Sequence, residues 1–257
     1  MSTGTPAQSN NASTQKSHKG LTIIGTEAGC GKTVFMTGLS ALLRKQGVDV
    51  RAVKPIVLGT KERAESEISF ICSISGTPRN YPASIISSAK NLSEAQWEQS
   101  LSVGLGASQF TFVETPGGCA SPMSFEQNSV GTLAHSWKDT RDFALELGYP
   151  CIIVAHHNQE AIEKLVLAYS YMHELPITGM VTVETQANEG KVLESKLTRT
   201  EVALLLASRT KAPYLGCLKF SPSISVPRVN QGNLIKVISE GVDLLLILKS
   251  LNISVGA

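Results

Sequence analysis

The sequence lacks the features of a disulfide scaffold, a membrane protein or a nucleic-acid-binding protein. Its five cysteines, at positions 30, 72, 119, 151 and 217, are odd in number and show no Cys-x-x-Cys spacing. This pattern predicts reduced thiols and neither a disulfide framework nor a zinc site. No apolar run reaches the roughly 18 residues of a transmembrane helix. A net charge of +2 argues against a nucleic-acid partner or an anionic membrane surface.

The first nineteen residues also lack the apolar segment of a signal peptide. They are polar throughout, and we expect residues 1–19 to form a disordered tail. No internal repeat or convincing linker divides the rest, so residues 20–257 are expected to form one domain. The lack of a signal-peptide segment and the reduced cysteines together indicate a cytoplasmic protein.

What the sequence does contain is a strand, a glycine-rich loop and a helix in succession. Leu21–Ile24 is an apolar run typical of a buried strand, Gly25–Gly31 turns the chain, and Lys32 and Thr33 open a segment with helical apolar spacing. Glycines let backbone N–H groups surround an anion, and the helix N-terminus adds positive dipole charge. Lysine can reach the outer phosphates and the threonine hydroxyl can ligate Mg²⁺. The stretch therefore predicts a phosphate-binding loop for a nucleoside triphosphate.

The gap between Gly25 and Gly31 is one residue longer than in the common phosphate-loop pattern, but the strand before it and the helix after it support the assignment. A Gly-Gly pair after a later strand can also approach the outer phosphate. The residues expected to bind the nucleotide are Gly25, Thr26, Glu27, Ala28, Gly29, Cys30, Gly31, Lys32, Thr33, Val34, Gly117 and Gly118.

Charged residues stand at the carboxyl ends of two other predicted strands, where parallel sheets bind ligands. Lys54 follows the strand Val48–Val53 and is a candidate for binding an anionic substrate; the alternative is a solvated lysine. Glu114 ends the strand Phe110–Thr115, where a phosphate-loop protein needs a Mg²⁺ ligand.

A third acidic candidate lies in the helix predicted over Thr60–Ser75. Glu62, Glu65 and Glu67 occupy its first turns, where one could ligate the metal or all could merely complement the helix dipole. His156 and His157 end another predicted strand, but adjacent strand residues point to opposite faces, so the pair is not expected to share an ion.

Strands and helices alternate along the rest of the chain. This alternation predicts an α/β, single-domain P-loop NTPase fold with a mostly parallel sheet and helices on both faces. The further predicted helices are Ser93–Gly104, Thr132–Leu147, Glu160–Glu174, Lys196–Ser208 and Leu234–Leu251, and the further strands are Pro150–Ala155, Ile177–Val183 and Tyr214–Leu218, with an irregular loop at Cys119–Asn128.

Four motifs in this order resemble those of the dethiobiotin synthetase family. GTEAGCGKTV is similar to that family's GTDTxVGKTV, VKPI to its YKPV, FVETPGG to its VEGAGG, and SPMS to its TPLS. The resemblance implies a reaction in which 7,8-diaminopelargonic acid takes up CO₂ as a carbamate, ATP phosphorylates the carbamate, and the second amine closes a ring to give dethiobiotin.

The resemblance also implies roles for individual residues. Lys32 would contact the β- and γ-phosphates, Lys54 would stabilise the carbamate and the transferring phosphoryl group, and Thr33, Glu67 and Glu114 would form the Mg²⁺ side. The catalytic residues would be Lys32 and Lys54, the cofactors ATP and Mg²⁺, and the partners a diamino carboxylic acid and CO₂. A homodimer is implied as well.

Several positions depart from the family pattern. Ala28-Gly29 replaces a Thr-Glu or similar pair, Leu58 stands where the family has a substrate-holding serine, and the base-reading asparagine expected after Ile177–Val183 is absent. The phosphate half of the site is thus kept while the substrate and base half is changed. The base preference, the choice between Glu65 and Glu67, and any redox role of Cys30 stay open.

Three other functions are therefore compatible with the sequence. The first is a P-loop ATPase that acts as a regulatory or partner-binding switch, with the biotin-pathway substrate site lost. The others are a different carboxylate- or amide-activating synthetase on the same scaffold, and a pseudoenzyme. Intact Gly31, Lys32, Thr33 and Glu114 argue against the pseudoenzyme, because phosphate and metal ligands have no structural reason to stand at loop tips.

Overall fold

The computed structural model describes residues 19–86, 91–106, 110–125, 137–185, 197–224, 229–251 and 253. Its strands are β1 (Gly20–Gly25), β2 (Val50–Val53), β3 (Ile56–Leu58), β4 (Ser84–Ile86), β5 (Phe110–Glu114), β6 (Pro122–Ser124), β7 (Lys138–Asp139), β8 (Cys151–His156), β9 (Ile177–Val183) and β10 (Tyr214–Leu218). Its helices are α1 (Lys32–Lys45), α2 (Lys61–Ser75), α3 (Glu94–Leu105), α4 (Thr140–Leu147), α5 (Ala161–Tyr171), α6 (Arg199–Ala207), α7 (Gln231–Gly241) and α8 (Leu244–Ser250).

Six of these strands form one parallel sheet in the order β10-β9-β8-β1-β5-β2. The strand that precedes the phosphate loop, β1, therefore lies between β5 and β8. Because all six strands are parallel, their carboxyl ends meet at one edge, and the loops that follow them form a common surface. The predicted fold class, an α/β domain with a mostly parallel central sheet, is confirmed.

Helices cover both faces of this sheet, as alternation along β1 requires. Leu21 and Ile23 face a core cluster that includes residues of α1, α7 and α8, whereas Ile24 faces a cluster with α4 on the opposite side. Further clusters beneath α3 and α4, and beneath α5 and α6, cover the outer strands. A sheet buried on both faces explains why β1 and β8 read as nearly continuous apolar runs.

Two predicted helices differ from the structure. The helix expected over Thr132–Leu147 begins only at Thr140, because Lys138–Asp139 pairs with β6 and the Asp139 carboxylate accepts the N–H groups of Arg141 and Asp142 at 2.7 and 3.2 Å. Residues 132–136 lie outside the described residues. Part of the loop expected at Cys119–Asn128 is the short strand β6.

The helix expected over Leu234–Leu251 is two helices. Val242 forms a β-bridge with Gly216, and the N–H of Asp243 donates to the carbonyl of Leu215 at 2.7 Å. The Asp243 carboxylate then accepts from the N–H of Leu246 and begins α8. Pairing with the edge strand β10 thus interrupts the helix at a point that apolar periodicity cannot reveal.

No helix within the described ranges combines the length and the apolar character that a bilayer-spanning segment needs.

The contact between α3 and α4 gives a stability prediction. Phe143 is fully buried and meets the ring of Trp97 edge to face, with 5.3 Å between ring centroids and 86° between planes. We expect Phe143→Ala to lower the free energy of unfolding by about 3–5 kcal/mol, because it removes apolar burial and leaves a cavity. Urea unfolding monitored by circular dichroism measures this change in the free energy of unfolding. Leu204→Ala, at a leucine that is 67% exposed, is the control, and equal losses in both variants would contradict the packing argument.

Candidate phosphate and acceptor site

The loop between β1 and α1 needs glycine at several positions for geometric reasons. Gly29 and Gly31 have φ of 76° and 97°, which favour glycine. A Cβ on Gly31 would lie 2.6 Å from Val183 Cγ1, and one on Gly25 would lie 2.5 Å from Lys32 Nζ. The loop is therefore packed tightly against both the sheet and its own lysine.

The N-terminus of α1 is prepared for an anion. Its N-cap residue, Gly31, makes no side-chain cap bond, and its first turn carries no acidic residue. By contrast, α2 begins with the Thr60 hydroxyl accepting a backbone N–H, and α3 with a capping box at Ser93. Backbone N–H groups left without a side-chain acceptor at a helix start are the usual phosphate ligands of such loops.

Lys32 connects this loop to the one that follows β5. Its ammonium donates to the carbonyl of Gly117 at 2.6 Å and to the carbonyl of Glu27 at 3.0 Å, and the side chain is buried. Gly117 has φ of 61°, and a Cβ on Gly118 would lie 2.7 Å from the Thr26 carbonyl oxygen. The two glycines expected near the outer phosphate therefore lie directly against the phosphate loop.

A chain of ionic contacts joins the phosphate loop to the end of β2. The Thr33 hydroxyl donates to Glu114 Oε1 at 2.9 Å, and Lys54 Nζ lies 2.7 Å from that same oxygen. Lys54 Nζ also lies 2.6 Å from Glu67 Oε2, and Glu67 Oε1 accepts from Arg63 Nε at 2.8 Å. The structure thus brings together Thr33, Lys54, Glu67 and Glu114, which lie far apart in the sequence.

These contacts fix the protonation states. Burial lowers the pKa of the Lys54 ammonium, but the carboxylates of Glu114 and Glu67 outweigh burial, and its pKa lies above the ordinary value. Burial likewise raises the pKa of Glu67, and the charges of Lys54 and Arg63 outweigh it, so that the pKa is lowered. At neutral pH the cation of Lys54 and the anion of Glu67 face each other in a largely buried site.

Glu114 offers an atom that fits a divalent cation. Its side chain is 1% exposed, and its Oε2 is buried with no hydrogen-bond partner among the residues that the structure describes. Such an orphaned oxygen is costly unless something else satisfies it. A carboxylate oxygen beside the Thr33 hydroxyl is a donor set suited to Mg²⁺. The residues present therefore fit the ion.

Glu65 and Glu67 lie in different surroundings. Glu67 faces Lys54, whereas Glu65 is exposed and pairs with Lys61 at 4.0 Å on the outer side of α2. Of the three carboxylates near the start of α2, only Glu62 lies in the first turn of the helix. Geometry therefore favours Glu67 over Glu65 as the carboxylate that belongs to the site.

Three other residues of the loop and its helix differ in how deeply their side chains are buried. Cys30 is fully buried, its Sγ donates to the Val154 carbonyl at 3.2 Å, and burial raises the pKa of its thiol. Its side chain thus faces the interior of the protein, with Sγ 3.9 Å from Lys32 Nζ. Val34 packs against the core, and Ala28 is exposed.

One contact to the phosphate loop comes from a residue distant in the sequence. Lys164 of α5 donates to both carboxylate oxygens of Glu27 at 3.0 Å and also pairs with Glu160, four residues earlier in the chain. The spacing of Glu160 and Lys164 is a readable helical pair. Nothing in the sequence indicates that Lys164 reaches a residue 137 positions away.

Comparison with known proteins agrees with this geometry. Residues 19–228 match the family described as AAA domain, which includes dethiobiotin synthetase. The chain belongs to that family. The expected relationship to dethiobiotin synthetases is thereby confirmed, and the AAA-domain match covers the phosphate loop, Lys54, Glu67 and Glu114.

A curated relative matches over a shorter stretch. ATP-dependent dethiobiotin synthetase BioD of Bacillus licheniformis is 39% identical over 61 residues, which is 23% of this chain and 26% of that enzyme. The match therefore spans about a quarter of the relative's length. It supports a P-loop ATPase of the AAA-domain family and leaves the specific reaction to be tested.

Solved structures share the fold at low sequence identity. The MinC:MinD cell division protein complex of Aquifex aeolicus has a TM-score of 0.53 at 13% identity and covers 93% of this chain and 98% of that one. Signal recognition particle receptor FtsY from Elizabethkingia anophelis in complex with GDP has a TM-score of 0.50 at 12% identity and covers 89% of this chain and 65% of that one. Identities this low show a common fold alone.

Proposed function

We propose that the protein uses MgATP to phosphorylate an oxyanion acceptor, and that the acceptor is a carbamate formed from a diamino carboxylic acid and CO₂, as in dethiobiotin synthetase. The observation that carries the proposal is the position of Lys54. Its ammonium lies 2.7 Å from Glu114, which in turn binds Thr33 at the phosphate loop. A cation so placed can contact an acceptor anion and the transferring phosphoryl group together.

Each group of site residues has its own role in the proposed phosphoryl transfer. Lys32 and the N-terminus of α1 bind the β- and γ-phosphates, and Gly117 and Gly118 let the backbone approach the γ-phosphate. Thr33, Glu67 and Glu114 would hold Mg²⁺, which when bound offsets phosphate charge. Lys54 holds the carbamate oxygen in line with the γ-phosphorus.

In the proposed reaction the carbamate oxygen forms a bond to the γ-phosphorus while the bond from that phosphorus to the ADP oxygen breaks. The second amine of the substrate then attacks the carbamoyl phosphate carbon, and phosphate leaves as the ring closes. Because little covalent chemistry falls to the protein, the fixed positions of Lys32 and Lys54 account for most of its contribution.

Leu58 is the feature that favours a different acceptor. A Cβ on Gly117 would lie 3.3 Å from Leu58 Cδ1, so this leucine stands beside the loop that faces the outer phosphate. The dethiobiotin synthetase pattern has a serine there. An apolar side chain removes one hydrogen bond to substrate, which supports the second candidate function, a P-loop ATPase that acts as a regulatory or partner-binding switch.

Phosphate release from MgATP, with and without 7,8-diaminopelargonic acid and bicarbonate, separates the two candidates. Stimulation by the pair, with dethiobiotin detected by mass spectrometry, is the result we expect from the synthetase. Tight ATP binding without stimulation would reject the biotin-pathway reaction and favour the switch. Leu58→Ser provides a matched variant: it is expected to increase the stimulation if the leucine weakens substrate binding.

The remaining parts of the proposal concern organisation. Residues 1–18 of the expected tail lie outside the described residues, and the carbonyl of Lys19 accepts from the N–H of Thr111 at 3.1 Å. We propose a single domain over residues 20–257, a homodimer and a cytoplasmic location. Light scattering of the purified protein measures the oligomeric state, and a monomer with full activity would remove the dimer from the proposal.

Neutralising Glu67 tests which acidic residue of α2 belongs to the site. We expect Glu67→Gln to lower Mg²⁺-dependent turnover about tenfold, which is about 1.4 kcal/mol of transition-state stabilisation, because Lys54 loses one of its two carboxylate partners. Glu65→Gln, on the exposed side of the same helix, is the matched control and is expected to retain activity. Similar losses in both variants would count against Glu67.

A further inference from the structure

Three potential metal ligands meet at the carboxyl ends of β8, β9 and β10. His157 follows β8, Glu184 follows β9 and Cys217 lies in β10, and one ligand atom from each lies within 4.8 Å of the others. Backbone pairing holds these strand ends in register: the N–H of His157 donates to Val183 at 2.9 Å, and the N–H of Glu184 donates to Leu218 at 2.8 Å. The cluster therefore rests on the sheet itself.

We propose that His157, Glu184 and Cys217 bind a transition-metal ion of the zinc class, at a site distinct from the proposed Mg²⁺ site. An imidazole nitrogen, a carboxylate oxygen and a thiolate sulfur suit Zn²⁺, whereas Mg²⁺ prefers oxygen ligands alone. Bonds of about 2.0–2.3 Å place tetrahedral ligand atoms roughly 3–4 Å apart, so small side-chain adjustments close the site. Three protein ligands leave a fourth position for water or another ligand.

Neighbouring groups orient two of these ligands. His157 Nδ1 lies 2.9 Å from the Thr182 hydroxyl, which lies 2.6 Å from the Tyr214 hydroxyl, and this contact orients the imidazole ring. Glu184 Oε2 accepts from the N–H of Phe220 at 3.2 Å. Supporting hydrogen bonds of this kind fix ring and carboxylate orientation at metal sites.

The strand order separates this cluster from the Mg²⁺ side. The phosphate loop follows β1. Glu114 at the end of β5 and Lys54 after β2 lie on one side of it, and the cluster at the ends of β8, β9 and β10 lies on the other. The proposal runs against the expectation from the sequence that there is no zinc site, which depended on the absence of Cys-x-x-Cys spacing. The three ligands lie at the ends of three different strands, so no local sequence motif contains them.

Metal binding by the purified full-length chain tests the proposal. After chelator treatment and dialysis, Zn²⁺ is titrated by calorimetry, and Co²⁺ is added separately to look for a thiolate-to-cobalt charge-transfer band. We expect one Zn²⁺ per chain and a thiolate band that is lost in Cys217→Ser. His157→Gln should weaken Zn²⁺ binding at least tenfold, and Thr182→Val about 10- to 100-fold.

Matched controls identify binding elsewhere. Cys72→Ser removes a half-buried cysteine on α2, and His173→Gln removes an exposed histidine; both are expected to bind Zn²⁺ as the unmodified protein does. Circular dichroism and MgATP binding show whether the cluster variants are folded. Absent Zn²⁺ binding, or binding that folded Cys217→Ser and His157→Gln variants retain, would overturn the proposal. Because Lys32→Ala should leave Zn²⁺ binding intact, failure of the proposed ATP chemistry is distinguishable from failure of this site.

Discussion

Replacing Lys32 by alanine is expected to lower ATP turnover by about 100-fold or more. The ammonium is buried and is held by the carbonyls of Gly117 and Glu27, so it occupies a fixed position between the phosphate loop and the loop after β5. A preorganised cation that offsets charge in the transition state typically contributes about 10²–10³ in rate. Phosphate release under saturating MgATP measures the loss, and nucleotide titration measures the accompanying change in affinity.

The Lys32→Ala result needs a control for charge and one for folding. Lys61→Ala removes a lysine whose side chain is 78% exposed and lies outside the site, and it should retain normal turnover. Thermal unfolding of Lys32→Ala shows whether the two carbonyls that lose their donor destabilise the fold. Normal ATP turnover in folded Lys32→Ala would reject the phosphate-loop assignment.

The convergence of Lys54 and Glu114 was predictable because both residues end parallel strands. Once the alternation of strands and helices indicates a parallel sheet, strand ends share one edge, and charged side chains there face a common crevice. The observed register, with β5 between β1 and β2, places Glu114 between Thr33 and Lys54. The sequence therefore predicted which residues meet at this edge, whereas the distances between their side chains follow only from the observed strand order.

The role of Glu67 could not be decided in the same way. Glu65 and Glu67 differ by about 200° around a helix, and only the packing of α2 determines which of them faces Lys54. Apolar residues are sparse near the start of α2, so periodicity sets its rotation poorly. The ion pair at 2.6 Å between Glu67 and Lys54 shows which of the two carboxylates faces Lys54.

Contacts between segments far apart in the chain could not be predicted from local sequence patterns either. The pairing of Glu27 with Lys164, the interruption between α7 and α8, and the cluster of His157, Glu184 and Cys217 all join segments far apart in the chain. Each depends on which strand lies beside which. Strand order β10-β9-β8-β1-β5-β2 follows from no single segment, so these features emerge only with the tertiary structure.

Replacing Glu114 by glutamine is expected to lower Mg²⁺-dependent turnover by about 10²–10³-fold while changing metal-free nucleotide binding far less. Glutamine keeps the shape of the side chain but removes the charge that faces Lys54 and replaces one carboxylate oxygen with a nitrogen that cannot ligate Mg²⁺. Breaking a buried ion pair can cost about 3–5 kcal/mol of stability. The cost should be smaller here because Glu67 still pairs with Lys54.

Measuring turnover over a range of Mg²⁺ concentrations, together with nucleotide binding in chelator, separates the metal role of Glu114 from a structural one. If Glu114 ligates the metal, the variant needs more Mg²⁺ for half-maximal turnover, while its affinity for metal-free nucleotide stays close to normal. Glu98→Gln, at an exposed carboxylate of α3, should leave both quantities unchanged. If Glu114 were purely structural, Glu114→Gln would instead lower turnover and the affinity for metal-free nucleotide together, because its contacts with Thr33 and Lys54 also shape the phosphate loop.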